Sequence, residues 1–161
     1  MKLIIIDDSV QSNLLAVLNE ACDFIQTSLT QADGGVLVHC QRGISRSASV
    51  ILAYVMRDMH IDYDAALRFV RNGRPQAKPN AGFEEQLKLW AEMRYDIHQK
   101  NGAEKPQYIA WKIRNREAQK ERPAKLTNGE SIGYYPGADK TRSEKSGPYT
   151  SILNALSLAR G

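Results

Sequence analysis

Leu3 to Ile6 form an unbroken apolar run that stops at Asp7 and Asp8, the pattern of a short buried strand. From about Ser12 the spacing changes. Leu14, Leu18, Ala21, Cys22, Ile25 and Leu29 recur at helical intervals and predict one apolar helix face, with Cys22 on it as a small buried hydrophobe. Gly34-Gly35 break that helix. Val36 to Val38 then read as a second strand, unrelieved by polar residues, which suits an interior strand of a parallel sheet covered on both faces. This strand runs through His39-Cys40 into a short loop. Ala48 to Met56 follow as a helix apolar almost all round, and therefore central.

Asp62 can cap a further helix whose buried face is marked by Ala65, Ala66, Phe69 and Val70, with Gly73 as its stop. Two prolines stiffen the loop from Gly73 to Asn80. Phe83, Leu87, Leu89 and Trp90 predict another helix, ending near Ile97. Beyond this point the pattern weakens. Tyr108, Ile109, Trp111 and Ile113 allow a basic helix up to about Lys120, and the chain from Pro123 has turn formers and scattered charge with little periodicity, so it is expected to be largely disordered. A short helix over residues 151–159 is the exception. The division expected is a catalytic core over 1–100, a basic extension over 101–122 and a tail over 123–161.

Composition sharpens this. The chain has 161 residues, enough for one ordinary domain, and its apolar residues concentrate in the first hundred, where a core can form. The net charge of +4 fits an anionic substrate but is too weak to argue for nucleic acid. Cys22 and Cys40 are the two cysteines and form no CxxC pair, so neither a disulfide framework nor a zinc knuckle is expected. No apolar run approaches the length of a membrane span, and the first residues are too short for a signal peptide; a soluble protein without membrane contact is expected.

The chemistry lies at residues 39–47, His-Cys-Gln-Arg-Gly-Ile-Ser-Arg-Ser, between a strand and a helix. That geometry makes an anion site. Backbone N–H groups of Gln41, Arg42, Gly43, Ile44, Ser45 and Arg46 can converge on one point, and the helix N-terminus adds positive potential. Arg46 can fork its guanidinium onto two phosphoryl oxygens. Cys40 sits in this field, which favours its thiolate and makes it a nucleophile at neutral pH. Gly43 lets the backbone turn tightly. Arg42 adds charge at the loop mouth.

The pattern H-C-x-x-G-x-S-R-S resembles the protein tyrosine phosphatase superfamily and, within it, the dual-specificity phosphatases. The stretch VLVHCQRGISRSASVILAYVM is similar to the family's strand-loop-helix core, and GRPQAKPNAGFEEQLKLW to its later segment. The piece LKLWAEMRYDI further resembles a branch whose full-length members carry a zinc-binding tail. The resemblance spans about residues 3 to 98. It implies an α/β fold, a phosphotyrosine-phosphatase-like sheet of parallel type flanked by helices. It also implies roles: Cys40 attacks phosphorus, Arg46 holds the phosphoryl oxygens, Ser47 hydrogen-bonds the sulfur and helps it leave, and His39 orients the loop. The family's general acid is an aspartate about thirty residues before the cysteine. Asp8, 32 residues upstream (40 − 8) and followed by Asn13-Leu14, fits better than Asp7. Asn80 is expected to bond backbone near the loop or to cap the following helix. No metal or organic cofactor is implied. A phosphorylated protein is the implied substrate, and the cytoplasm or nucleus the implied compartment.

Two departures qualify the resemblance. Met1 lies seven residues before Asp8, so an N-terminally truncated domain is expected, with sheet edges and apolar surface uncovered. No Cys or His follows His98, so the zinc module is not expected. Two other readings stay open at this point: an inactive phosphate-binding relative, and the same chemistry on an RNA 5′-phosphate or a phosphoinositide, the latter prompted by the basic stretch from Lys105 to Lys125.

Overall fold

The computed structural model describes residues 1–31 and 35–120. The predicted tail, including the expected helix over 151–159, lies outside these residues, as does Gly34. Five helices run through the described chain: α1 Leu15–Gln31, α2 Arg46–Met59, α3 Tyr63–Gly73, α4 Ala81–Glu92 and α5 Pro106–Lys120.

Helix α2 is the centre, as its nearly continuous apolar sequence requires. Leu52, Ala53, Val55 and Met56 have no exposed surface, and α1, α3 and α4 pack around it. Each such leucine contributes about 1.5–3 kcal/mol through burial. The polar atoms of this core find partners. The Trp90 indole on α4 donates to the Ala53 carbonyl at 3.3 Å, and the Tyr54 hydroxyl donates to Gln26 of α1 at 3.2 Å. Cys22 is fully buried on α1. The caps fall where the sequence puts them. Asp62 accepts from the Ala65 N–H at 2.8 Å, and Asn80 accepts from the Phe83 N–H at 3.0 Å. Helix α4 stops earlier than its apolar pattern implies. The chain turns through left-handed conformations at Arg94 and Tyr95, and Met93 and Ile97 reach the core from irregular backbone.

The expected sheet is not formed among the described residues, where the one ladder contact is an isolated antiparallel bridge between His98 and Glu104. Leu3 to Ile6 and Val36 to Val38 nevertheless alternate as extended chains do. Ile4, Ile6, Val36 and Val38 pack against the core, while Leu3, Ile5 and Leu37 are 80%, 90% and 61% exposed. The two runs are therefore covered on one face, not both. A strand needs a neighbour for its backbone groups, and among the described residues neither run has one. Between them opens an apolar hollow of about 700 Å³, lined also by Phe24, Ile25 and Val50, that reaches Cys40.

Helix α5 docks on the core rather than standing apart. Tyr108 and Trp111 are buried. The Asn13 side chain donates to the Tyr108 hydroxyl at 2.9 Å, and the Asn115 side chain donates to the Gln11 carbonyl at 2.9 Å. Both contacts grip the segment that follows Asp8.

Candidate active site

The loop after Val38 is shaped by bonds to its carbonyls. The Gly43 carbonyl accepts from the Arg74 guanidinium at 3.3 Å, the Ile44 carbonyl from the Lys78 N–H at 2.9 Å, and the Ser45 carbonyl from both the amide and the hydroxyl of Ser49 at 2.8 Å. These bonds fix three successive carbonyls of the loop. Gly43 adopts a φ of 65°, a left-handed turn that glycine makes without steric cost. Its N–H donates to Cys40 Sγ at 3.2 Å.

Cys40 lies at the focus of this loop, and Ser47 Oγ stands 3.3 Å from its sulfur. Partial burial alone would raise the thiol. Hydrogen bonds from the Ser47 hydroxyl and from the amides of Ser47, Gly43 and Arg42 outweigh burial and bring it down to about 7. Cys22 shows the opposite: burial pushes it up to about 12. Alkylation by iodoacetamide should therefore modify Cys40 selectively, rising with pH through a midpoint near 7, with Cys22 unmodified in the folded protein. Mass mapping across a pH series would test this; a Cys40 midpoint near 9 would remove the electrostatic argument.

Arg46 opens α2 and lines the same hollow as Cys40. One of its terminal nitrogens contacts the Ile6 carbonyl at 3.4 Å, and its buried Nε has no hydrogen-bond partner among the described residues. A buried donor of this kind is what an incoming oxyanion would satisfy.

Asp8 reaches the same loop from the other side. The Ser45 hydroxyl donates to Asp8 Oδ1 at 2.7 Å, the Asn80 amide donates to the same oxygen at 2.9 Å, and the Asn80 N–H donates to Ser45 Oγ at 3.1 Å. Partial burial would raise the Asp8 carboxyl, but the hydrogen bonds from Asn80 and Ser45 and the charges of Arg46 and Arg42 outweigh it and hold it below its ordinary value. Asn80 thus caps α4 and touches the loop at once.

Not every expected contact is made. His39 is exposed and forms no hydrogen bond to the loop among the described residues, because it lies beside the open hollow rather than under cover. Gln41 and Arg42 are exposed at the mouth.

Two residues near the site, both within the stretch GRPQAKPNAGFEEQLKLW, were given no role in the sequence. Gln86 is fully buried. Its Oε1 accepts from the amides of Leu14 and Leu15 at 2.7 and 3.2 Å, and its Nε2 donates to the carbonyls of Ser12 and Gly82, both at 2.9 Å. It caps α1 from across the fold and holds the chain just after the Asp8 segment. Gly82 lets α4 approach that segment, since a Cβ there would overlap the Val10 backbone. Gln86 had two signals, its place in the segment that carries the family resemblance and its polar character in register with Phe83, Leu87 and Trp90. No described cluster of His, Cys, Asp or Glu could hold a metal ion.

The model of the family described as "Dual specificity phosphatase, catalytic domain" matches residues 1–93. Dual specificity protein phosphatase MPK-4 of Drosophila melanogaster is 41% identical over 106 residues, which is 60% of this chain and 27% of that protein. Human dual specificity protein phosphatase 1 is 44% identical over 86 residues, 53% of this chain and 23% of that protein. The chain thus spans about a quarter of the length of these two relatives. Among solved structures, the human tyrosine phosphatase-like serine/threonine/tyrosine-interacting protein superposes with a TM-score of 0.54 at 36% identity, over 56% of this chain and 59% of that one. Human DUSP28 superposes with a TM-score of 0.52 at 37% identity, over 54% of this chain and 60% of that one.

Proposed function

The chain belongs to the dual specificity phosphatase catalytic-domain family, and from that premise we propose that it is a protein phosphatase, removing phosphate from tyrosine and from serine or threonine of protein substrates through a cysteinyl-phosphate on Cys40. The observation that carries this reading is Cys40 Sγ, which accepts the Gly43 N–H at 3.2 Å and stands 3.3 Å from the Ser47 hydroxyl, in a hollow also lined by Arg46, whose buried Nε has no hydrogen-bond partner among the described residues.

The Cys40 thiolate attacks phosphorus. As the S–P bond forms, the bond to the leaving oxygen breaks, and that oxygen takes a proton from Asp8. Arg46 and the amides of residues 41–46 receive the phosphoryl oxygens. In the second step water attacks phosphorus and gives its proton to Asp8, and the thiolate leaves with the Ser47 hydroxyl bonded to it. The two ionisations pull apart: the thiolate prevails above about pH 7, whereas the protonated carboxyl belongs to the acid side. The reactive pairing is thus a minority form that substrate binding must favour.

Steady-state hydrolysis of phosphotyrosine and phosphothreonine peptides, read as phosphate release, tests the substrate class. Turnover of both is the expected result. Hydrolysis of neither, with turnover of a phosphoinositide headgroup or an RNA 5′-phosphate, would move the same chemistry to that substrate.

A further inference from the structure

We propose that Ser45 is a positioning residue for the acid: its hydroxyl, acting with the Asn80 amide, occupies Asp8 Oδ1 and so leaves Oδ2 as the oxygen that carries the proton to the leaving group. This deepens the phosphatase reading and rests on it.

Ser45 stands at the N-cap of α2, where a serine hydroxyl ordinarily accepts a bond from the first turn, yet it makes no such cap bond. Its hydroxyl is turned instead to Asp8 Oδ1, at 2.7 Å, while accepting from the Asn80 N–H at 3.1 Å. The residue is 8% exposed, so water does not readily replace these partners. Oδ1 also accepts from the Asn80 side chain at 2.9 Å, and Asn80 is itself fixed by capping α4 at Phe83. An oxygen that already accepts two hydrogen bonds is a poor place for a proton. Among the described residues nothing donates to Oδ2. The proton therefore rides on Oδ2, and it passes to the bridging oxygen as the P–O bond breaks and the electron pair stays on that oxygen. Ser45 also belongs to the phosphate loop, so the two roles must be told apart.

A general acid matters most when the leaving group is a strong base. The test compares wild type, Ser45→Ala and Ser45→Thr on aryl phosphates with leaving groups of graded pKa. Compared at the plateau of each variant's pH–rate profile, so that a changed fraction of protonated Asp8 is factored out, Ser45→Ala should steepen the dependence, losing about tenfold more on the poorest leaving group than on the best, the size of one hydrogen bond to a charged group. Ser45→Thr, which keeps a hydroxyl, should restore the wild-type slope. In an Asp8→Asn background the alanine change should leave the slope unaltered. A loss equal across all leaving groups, or one that persists in Asp8→Asn, would overturn the proposal and assign Ser45 to phosphate binding. A second readout needs no turnover. The Asp8 carboxyl, followed by carbon-detected nuclear magnetic resonance, should titrate at higher pH in Ser45→Ala, because a donor to the carboxylate has been removed. An unchanged titration would overturn the proposal. Absence of turnover in wild type would instead strike at the phosphatase reading itself.

Discussion

Cys40→Ser should abolish phosphate release, by about 10⁴-fold or more, the scale on which loss of an enzyme's nucleophile is felt. The loop is built around an ionisable sulfur. The amides of Arg42, Gly43 and Ser47 and the Ser47 hydroxyl lower this thiol to about 7, which favours the thiolate near neutral pH. A serine hydroxyl at the same place stays protonated, and no base touches it. The substitution is nearly isosteric and the side chain is only half-buried, so stability should change by no more than about 1 kcal/mol. Phosphate release and thermal melting, measured on the same preparation, separate the two effects. Full turnover in the serine variant would end the covalent mechanism.

Arg46→Lys should lower kcat by about 10²–10³-fold, comparable to removing one oxyanion donor from a preorganised site. Lysine keeps the positive charge, so the change isolates geometry from charge. The guanidinium here offers a buried Nε with no partner among the described residues, while a terminal nitrogen is steadied by the Ile6 carbonyl at 3.4 Å. A planar fork of this kind meets two phosphoryl oxygens at once; an ammonium group is a compact point charge that meets them less specifically. Kinetics on one aryl phosphate, with circular dichroism as a fold check, gives the answer. A lysine variant as fast as wild type would mean that charge alone suffices.

The sequence by itself determined the parts whose information is local. Residues 39–47 marked a tight loop ahead of a helix, the apolar run from Ala48 to Met56 announced a central helix, and Asp62 and Asn80 marked helix starts that the structure places there. Capping, helical periodicity and a glycine turn act over a few residues, so they can be read along the chain. Strands cannot be settled in that way. Leu3 to Ile6 and Val36 to Val38 have the composition of buried strands and alternate as extended chain, but a ladder needs backbone groups from elsewhere, and the described residues supply none.

Only the tertiary structure decided how Asp8 is held. Asp8 meets Ser45 across 37 residues and Asn80 across 72, and Gln86 caps α1 from 72 and 71 residues away. Gly82 looks like an unfavourable helix residue until Val10 is seen lying against it. The basic helix read as an extension turned out to grip the segment after Asp8 through Tyr108 and Asn115. Apart from the close approach of Gly82 to Val10, each of these contacts joins polar groups distant in sequence. Hydrogen bonds are formed at about 3 Å, and only the packing of α1, α2, α4 and α5 brings such groups that close.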